Sequence, residues 1–210
     1  MDGPRTKPVA IIVSYNTRAD LERLLPALAS VTAIDTLVVD NGSTDGSVEI
    51  AVSILGDDAV IEAGGNLGYA KAINLALAAI PPGPILIFNA DVAFLTGTPE
   101  AMLDALSDSG AGIVVGRTVD EEGTLALSMR RDPTPLRTWG DALLGGHLAG
   151  RYDALGEMVV ERSLYLDARQ VDWATGSAMA ISADCRSAVG QWNEDYFLYS
   201  EETEDRKSVV

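Results

Sequence analysis

The sequence predicts an α/β fold, a mostly parallel central sheet with helices on both faces. Three observations carry the prediction. Short apolar runs recur along the first 117 residues, segments of helical spacing lie between them, and glycine or proline marks the joints. Strands that alternate with helices form a parallel sheet, because each helix carries the chain back to the end where the last strand began.

The elements follow in order. Val9-Ala10-Ile11-Ile12-Val13-Ser14 is almost continuously apolar, as a strand covered on both faces requires. Leu21, Leu24, Leu25 and Leu28 then recur at helical spacing. Thr36 to Asp40 reads as the second strand, cut off by Asn41-Gly42. Residues 45–55 predict a helix with Val48, Val52 and Leu55 on one face. Ala59-Val60-Ile61 is a short strand before Gly64-Gly65. Ala70, Ile73, Leu77 and Ile80 stripe a third helix, which Pro81-Pro82 stops. Ile85 to Phe88 is the fourth strand. Thr98-Pro99-Glu100 combines an N-cap, a first-turn proline and an early acid, opening a helix to about Leu106. Ile113-Val114-Val115 is the fifth strand.

Beyond residue 117 the alternation stops. Glu121-Glu122-Gly123 reads as a hairpin turn leading into Thr124 to Ser128. Residues 132–168 are irregular, and a helix near 136–149 is weakened by Gly145, Gly146 and Gly150. This stretch reads either as a cover over a site or as a plain surface excursion. The whole chain of 210 residues is expected to form one domain.

Composition narrows the function. With 47% hydrophobic residues, the chain has enough apolar material for a core. A net charge of −16 excludes a nucleic-acid-binding face, which needs basic residues. It leaves room for a nucleotide if a divalent cation sits between the acids and the phosphates. Cys185 is the single cysteine, so there is no disulfide framework and no cysteine-based zinc site. It reads as a small buried apolar residue, and a reducing cytoplasm is the expected compartment. No apolar run reaches the length of a membrane span or the centre of a signal peptide. Membrane contact is therefore expected to be peripheral. His147, the only histidine, reads as a surface or loop residue.

Parallel sheets bind ligands outside the carboxyl ends of their strands. The first, second and fourth strands end in Ser14-Tyr15-Asn16, Asp40-Asn41-Gly42-Ser43 and Asn89-Ala90-Asp91, and all three polar ends are expected to face one crevice. Asp40 can accept hydrogen bonds from a ribose or base, or simply close a strand-to-helix turn. Asn89 and Asp91 point the same way in an extended segment. Asp91 can ligate Mg²⁺ or Mn²⁺ through oxygen, or end an Asx-type turn. Six acids, Glu194, Asp195, Glu201, Glu202, Glu204 and Asp205, surround the run YFLYS. A carboxylate among rings and like charges suits general-base work, and a solvated acidic helix start is the plainer reading. No G-x-G-x-x-G follows the first strand and no G-K-[ST] occurs, which removes hydride transfer and P-loop chemistry.

The ordered set VSYN, VVDNGSTDGS, GGNLGYAKAINLAL, FNADV, WATGSAMAI and YFLYSEETED resembles family 2 glycosyltransferases, within them the rhamnosyltransferase-like branch. Gly116-Arg117, Gly123, Ser128, Arg130-Arg131 and Pro133-Thr134 are similar to that branch's "GxR … G … S-x-RR-x-PT" stretch. The resemblance implies a GT-A fold, Rossmann-like, with residues 8–117 as the nucleotide-sugar-binding half. It implies residues 118–210 as the acceptor-side half, with a small antiparallel extension. It implies Ser14, Tyr15, Asn16 and Asp40 at the nucleotide, with Asn66, Gly68, Lys71 and Asn74 beside the donor. It implies Asn89 and Asp91 in the metal motif, and Gly176 and Ser177 near the donor sugar. Glu201-Glu202 match the "ED" pair, whose second member is the implied base.

Inverting transfer from a nucleoside-diphosphate-sugar is the implied reaction, the donor a dTDP- or UDP-sugar and rhamnose the favoured sugar. The implied acceptor is a polysaccharide or lipid-linked hydroxyl. Two departures stand out: Glu202 replaces the family's usual Asp, and residues 204–210 do not resemble the family's Trp/Arg-rich continuation. The second departure makes a shortened chain that binds donor without turnover one expectation. A sugar-1-phosphate nucleotidyltransferase is a further reading, weakened because residues 14–19 offer Arg18 as their only cation.

Overall fold

The computed structural model describes residues 6–120 and 122–195. They divide into two compact units, one of residues 6–114 with 176–195 and one of residues 115–175.

The first unit is built on β1 (Val9–Ser14), β2 (Asp35–Asp40), β3 (Val60–Glu62), β4 (Ile85–Asn89) and β5 (Ile113–Val115). Between them run α1 (Arg18–Ala29), α2 (Ser47–Leu55), α3 (Tyr69–Ala79) and α4 (Pro99–Ser109). All nine elements lie where the apolar periodicity predicts them. β1 pairs in parallel with β2 and with β4, and β2 pairs in parallel with β3.

Alternation along each strand covers the sheet twice. Ala10, Ile12, Val38, Leu86 and Phe88 share a buried cluster with Leu21, Leu24, Leu25 and Leu28 of α1, Ala51 of α2 and Leu106 of α4. Each fully buried leucine in that stripe stabilises the fold by about 1.5–3 kcal/mol. On the other face, Leu77 of α3 lies with Ile85 and Ile181.

One strand was not foreseen. Ala178–Ile181, in the first unit, pairs antiparallel with β4, with Ile85 opposite Ile181 and Phe88 opposite Ala178. The sheet order is thus β3-β2-β1-β4-(178–181)-β5. A helix at Ala183–Val189 follows, capped by Ser182, whose hydroxyl accepts the Cys185 N–H. Cys185 is buried, as expected. Arg186 from this helix donates to the carbonyls of Leu77, Pro81 and Gly83, satisfying acceptors that the prolines leave behind. Burial pushes its guanidinium pKa down.

The second unit holds a two-stranded antiparallel ribbon, β6 (Met129–Arg130) against β7 (Trp173–Ala174), so the strand at Ala178–Ile181 is β8. The turn before Gly123 is present, with the Asp120 N–H on the Thr124 carbonyl. The predicted helix near 136–149 is two helices, α5 (Pro135–Leu144) and α6 (Gly146–Ala149), and the helix at Ala183–Val189 is α7. Gly145, at φ +78°, breaks the first from the second. Tyr165 anchors this unit: its hydroxyl donates to the Val159 carbonyl and accepts the Met129 N–H, and burial raises its pKa. Among the described residues, no helix is long and apolar enough to cross a membrane.

Candidate active site

The strand order reverses between β1 and β4, and at such a switch point the connections leave in opposite directions and open a crevice. A cleft of about 360 Å³ lies there, within the first unit. Tyr15 lines it after β1, Asn41 after β2, and Asn89 and Asp91 after β4, so the three polar strand ends do share one crevice. Asn66 and Gly68, before α3, line it as well.

The loops around it are held by side chains bonding to backbone. Ser14 is fully buried, its hydroxyl 2.9 Å from that of Thr17. Asn16 adopts φ +55°, a left-handed conformation that Asn tolerates better than most residues. Its Oδ1 accepts the Thr44 N–H and its own N–H donates to the Ser43 hydroxyl, stitching the loop after β1 to the loop after β2. Asp45 reinforces the seam by accepting the Arg18 N–H at 3.0 Å. The Ser47 hydroxyl, at 2.5 Å, is the main cause that holds the Asp45 pKa below its ordinary value, and the Arg18 N–H is the next.

Asp40 is 2% exposed. Its Oδ2 accepts the N–H groups of Gly42 and Ser43 at 3.0 and 2.8 Å, whereas its Oδ1 is buried without a hydrogen-bond partner among the described residues. A buried carboxylate oxygen left so is costly, and a ligand's hydroxyl or N–H would satisfy it. Asn41, next in the chain, spends its amide on the Gly68 carbonyl and the Leu67 N–H, fixing the segment before α3. Asn66 Oδ1 accepts the Gly68 N–H.

At the end of β4, the Asn89 N–H donates to the Ser177 carbonyl, and its Oδ1 accepts the Tyr69 hydroxyl at 3.3 Å. Asp91 is exposed. Gly176 is buried and Ser177 half-buried, directly before β8. Lys71 is half-buried on α3 and does not line the cleft. Glu201 and Glu202 lie outside the described residues.

Among the described residues no group of three metal-ligating side chains occurs. The oxygen donors at the cleft suit a hard cation. Mg²⁺ is commonly held by one or two carboxylates plus substrate phosphates, and the exposed Asp91 carboxylate fits that pattern.

Sequence reasoning did not single out Thr17, Asp20 or Tyr69 and named Asn41 only within the polar end of β2; all four line the cleft. Asn41 and Tyr69 lay inside the quoted motifs and were passed over for their neighbours Asp40 and Gly68. Arg130 and Arg131 had two readings, acceptor phosphate or solvated strand end, and the second unit occupies both internally. Arg130 donates to the Leu127 and Met129 carbonyls and lies 5.9 Å from the Trp173 ring centre. Arg131 donates to the carbonyls of Gly150, Gly156 and Met158 and pairs with Asp153 at 2.6 Å.

A mostly parallel sheet with a polar cleft at its switch point defines a doubly wound α/β protein, and solved structures show that its fold is GT-A. A mannosyltransferase from Pyrobaculum calidifontis, solved with GDP-Man and Mn²⁺, superposes with a TM-score of 0.60 at 17% identity, over 96% of this chain and 51% of that one. S. aureus TarS superposes at 0.59 and 17% identity, over 97% of this chain and 33% of that one. Residues 9–155 match glycosyl transferase family 2, and the chain belongs to that family. It is 28% identical to an N-acetylglucosaminyl-diphospho-decaprenol L-rhamnosyltransferase of Mycobacterium tuberculosis, over 92% of this chain and 67% of that protein. It is 26% identical to the low-salt glycan biosynthesis hexosyltransferase Agl10 of Haloferax volcanii, over 92% of this chain and 58% of that protein. The chain therefore spans about two thirds or less of these relatives.

Proposed function

We propose that the cleft binds a nucleoside-diphosphate-sugar and that the chain transfers the sugar, with inversion, to a hydroxyl of a saccharide or lipid-linked acceptor. The observation that carries the reading is the convergence of Tyr15, Asn41, Asn66, Asn89 and Asp91 on one cleft, with the unpaired Oδ1 of Asp40 on the neighbouring residue of β2. Asp40 accepts from the ribose or base. Ser14 and Asn16 hold the loop on which Tyr15 meets the nucleotide. Asn66 and Gly68 shape the backbone beside the donor, and Lys71 lies in the first turn of the following helix. Gly176 and Ser177 border the donor sugar.

Glu202 takes the proton of the acceptor hydroxyl, whose oxygen attacks the anomeric carbon from the face opposite the nucleotide. The bond from that carbon to the diphosphate oxygen breaks, and the nucleoside diphosphate leaves with the electron pair. A divalent cation, Mg²⁺ or Mn²⁺, held at Asp91 would supply positive charge against the leaving diphosphate. The bound Mn²⁺ of the mannosyltransferase supports a divalent ion. The names of the mycobacterial and haloarchaeal relatives support a hexose, rhamnose first, and a lipid-linked acceptor.

The test is a thermal-shift panel with UDP, dTDP, GDP and NADH, each with and without Mn²⁺. A ligand at about a hundred times its dissociation constant stabilises the fold by roughly 2.7 kcal/mol. A metal-dependent shift with one pyrimidine diphosphate is expected. Stabilisation by NADH alone would overturn the reading.

A further inference from the structure

Helix α5 is amphipathic the wrong way round for a helix packed on its own unit. Its polar and small residues face inward. Arg137 donates to the carbonyls of Asp132 and Asp153, Asp141 accepts the Glu157 N–H, and Gly140 is buried, where a Cβ would stand 2.0 Å from the Leu155 carbonyl oxygen. Its large apolar residues face outward. Leu136, Trp139 and Leu143, spaced three and four apart and so on one helical face, are 57%, 66% and 76% exposed. Leu144, Leu148 of α6 and Tyr152 extend the exposed apolar surface. Folding normally buries such a stripe, so a contiguous exposed one marks a contact surface.

Charge identifies what it meets. The chain carries 31 acids against 15 Lys and Arg. Yet from Pro133 to Tyr152 there is one acid, Asp141, committed inward, and Asp153, which follows, has its charge paired with Arg131. Arg151 and His147 stand exposed in the same stretch. A protein so acidic can approach an anionic surface only through a face that lacks acids. A tryptophan at the centre of the stripe and a tyrosine at its edge are the side chains that settle at a bilayer interface, ring in the acyl boundary and polar atom toward water.

We infer that the outward face of α5, centred on Trp139 with Leu136 and Leu143, docks on a bilayer surface carrying anionic headgroups. The helix lies in the interface plane and does not cross it. The inference rests on the function proposed above for its purpose, since a lipid-linked acceptor hydroxyl is presented at such a surface.

The test is flotation of the full chain with phosphatidylcholine vesicles containing phosphatidylglycerol, and with phosphatidylcholine alone. The chain is expected to float with the anionic vesicles, less with the neutral ones, and less as salt is raised. Trp139→Ala is expected to lower partitioning about tenfold, the loss that follows from one large buried apolar side chain. Leu143→Glu is expected to lower it further, because it adds an acid to the face. Both residues are exposed, so each variant should melt with the wild type and respond to nucleoside diphosphate as the wild type does. Failure of the wild type to float, or flotation of both variants equal to that of the wild type, would overturn the inference. So would a dimer in solution that Leu143→Glu dissolves while no vesicle is bound. Flotation without any stabilisation by a nucleotide would uphold this surface and sink the proposed function.

Discussion

The side-chain amide of Asn74 grips the backbone of Trp192 from both sides. Its Nδ2 donates to the Trp192 carbonyl and its Oδ1 accepts the Trp192 N–H, each at 2.9 Å. The two residues are 118 apart in sequence, and both are buried. The same Nδ2 reaches Glu194 Oε1 at 3.0 Å, and the ring of Tyr69 meets that of Trp192 edge to face, 6.2 Å between centroids. Helix α3 thus carries both a residue of the cleft, Tyr69, and the clamp on the chain that leads toward Glu201 and Glu202.

Asn74→Leu leaves a buried N–H and a buried carbonyl unpaired, at about 1–3 kcal/mol each, so a loss of roughly 2–6 kcal/mol is expected in a urea titration. Asn74→Asp keeps the acceptor, loses the donor and sets a carboxylate against Glu194. Like charge and burial raise its pKa, so protonation favours the folded form. Its stability should therefore recover as pH falls toward the carboxylate range, while that of Asn74→Leu should show no such added recovery.

Gly42→Ala should weaken both fold and cleft. Gly42 sits at φ +87°, and a Cβ there would stand 2.9 Å from the Gly65 Cα. The left-handed conformation alone costs a non-glycine residue about 1–2 kcal/mol, and the clash is with backbone that has no rotamer to yield. A loss of roughly 2–3 kcal/mol by denaturant titration is expected. Nucleotide affinity should fall with it, because the Gly42 N–H helps hold Asp40.

These relationships show what was legible. Strands β1, β2 and β4 announce themselves as apolar runs ended by Asn, Asp or Gly, and the Pro81-Pro82 pair stops α3 by simple chemistry. Because ligands collect at the carboxyl ends of parallel strands, the sequence alone places Tyr15, Asn89 and Asp91 at one cleft. β8 could not be placed. Ala178-Met179-Ala180-Ile181 reads as a short apolar run of either type, and its position beside β4 depends on partners ninety residues away in sequence. The clamp of Asn74 on Trp192 is equally long-range, and resemblance placed Asn74 beside the donor. Asn41 escaped for a different reason: in the motif DNGS the acid draws the eye, whereas the amide ties the second loop to the third.

Asp40→Asn tests the nucleotide contact. One oxygen of the new amide can still accept the Gly42 and Ser43 N–H groups. The other position becomes an NH₂, a donor facing a ligand donor. Losing a charge-assisted hydrogen bond costs about 1.5–3 kcal/mol, so donor nucleotide should bind roughly 10- to 100-fold more weakly by calorimetry. Unchanged affinity would remove Asp40 from the site.

Asp91→Ala separates metal from nucleotide. Asp91 is exposed, so the variant should melt within about 0.5 kcal/mol of the wild type. The gain in nucleotide affinity on adding Mn²⁺ should disappear, while metal-free binding stays as it was. Retention of the metal-dependent gain would place the cation elsewhere.

Glu202→Gln tests the base. The amide fills nearly the same volume as the carboxylate but cannot take a proton from the acceptor hydroxyl. Removing a general base typically costs about 10²–10⁴ in rate, so transfer should fall by that factor while donor nucleotide binds as before. Glu201→Gln, measured beside it, decides which of the two adjacent acids does the work. If Glu201 is the base, the loss moves to that variant and Glu202→Gln transfers normally. Glu202→Asp supplies the acid that the resembled family usually carries at this position. It withdraws the carboxylate by one methylene, about an ångström, a displacement that positioning-sensitive catalysis feels. Were Glu202 a structural acid, stability and turnover would fall together in both Glu202 variants. As a base, it loses turnover alone in the glutamine variant and keeps a measurable part of it in the aspartate variant.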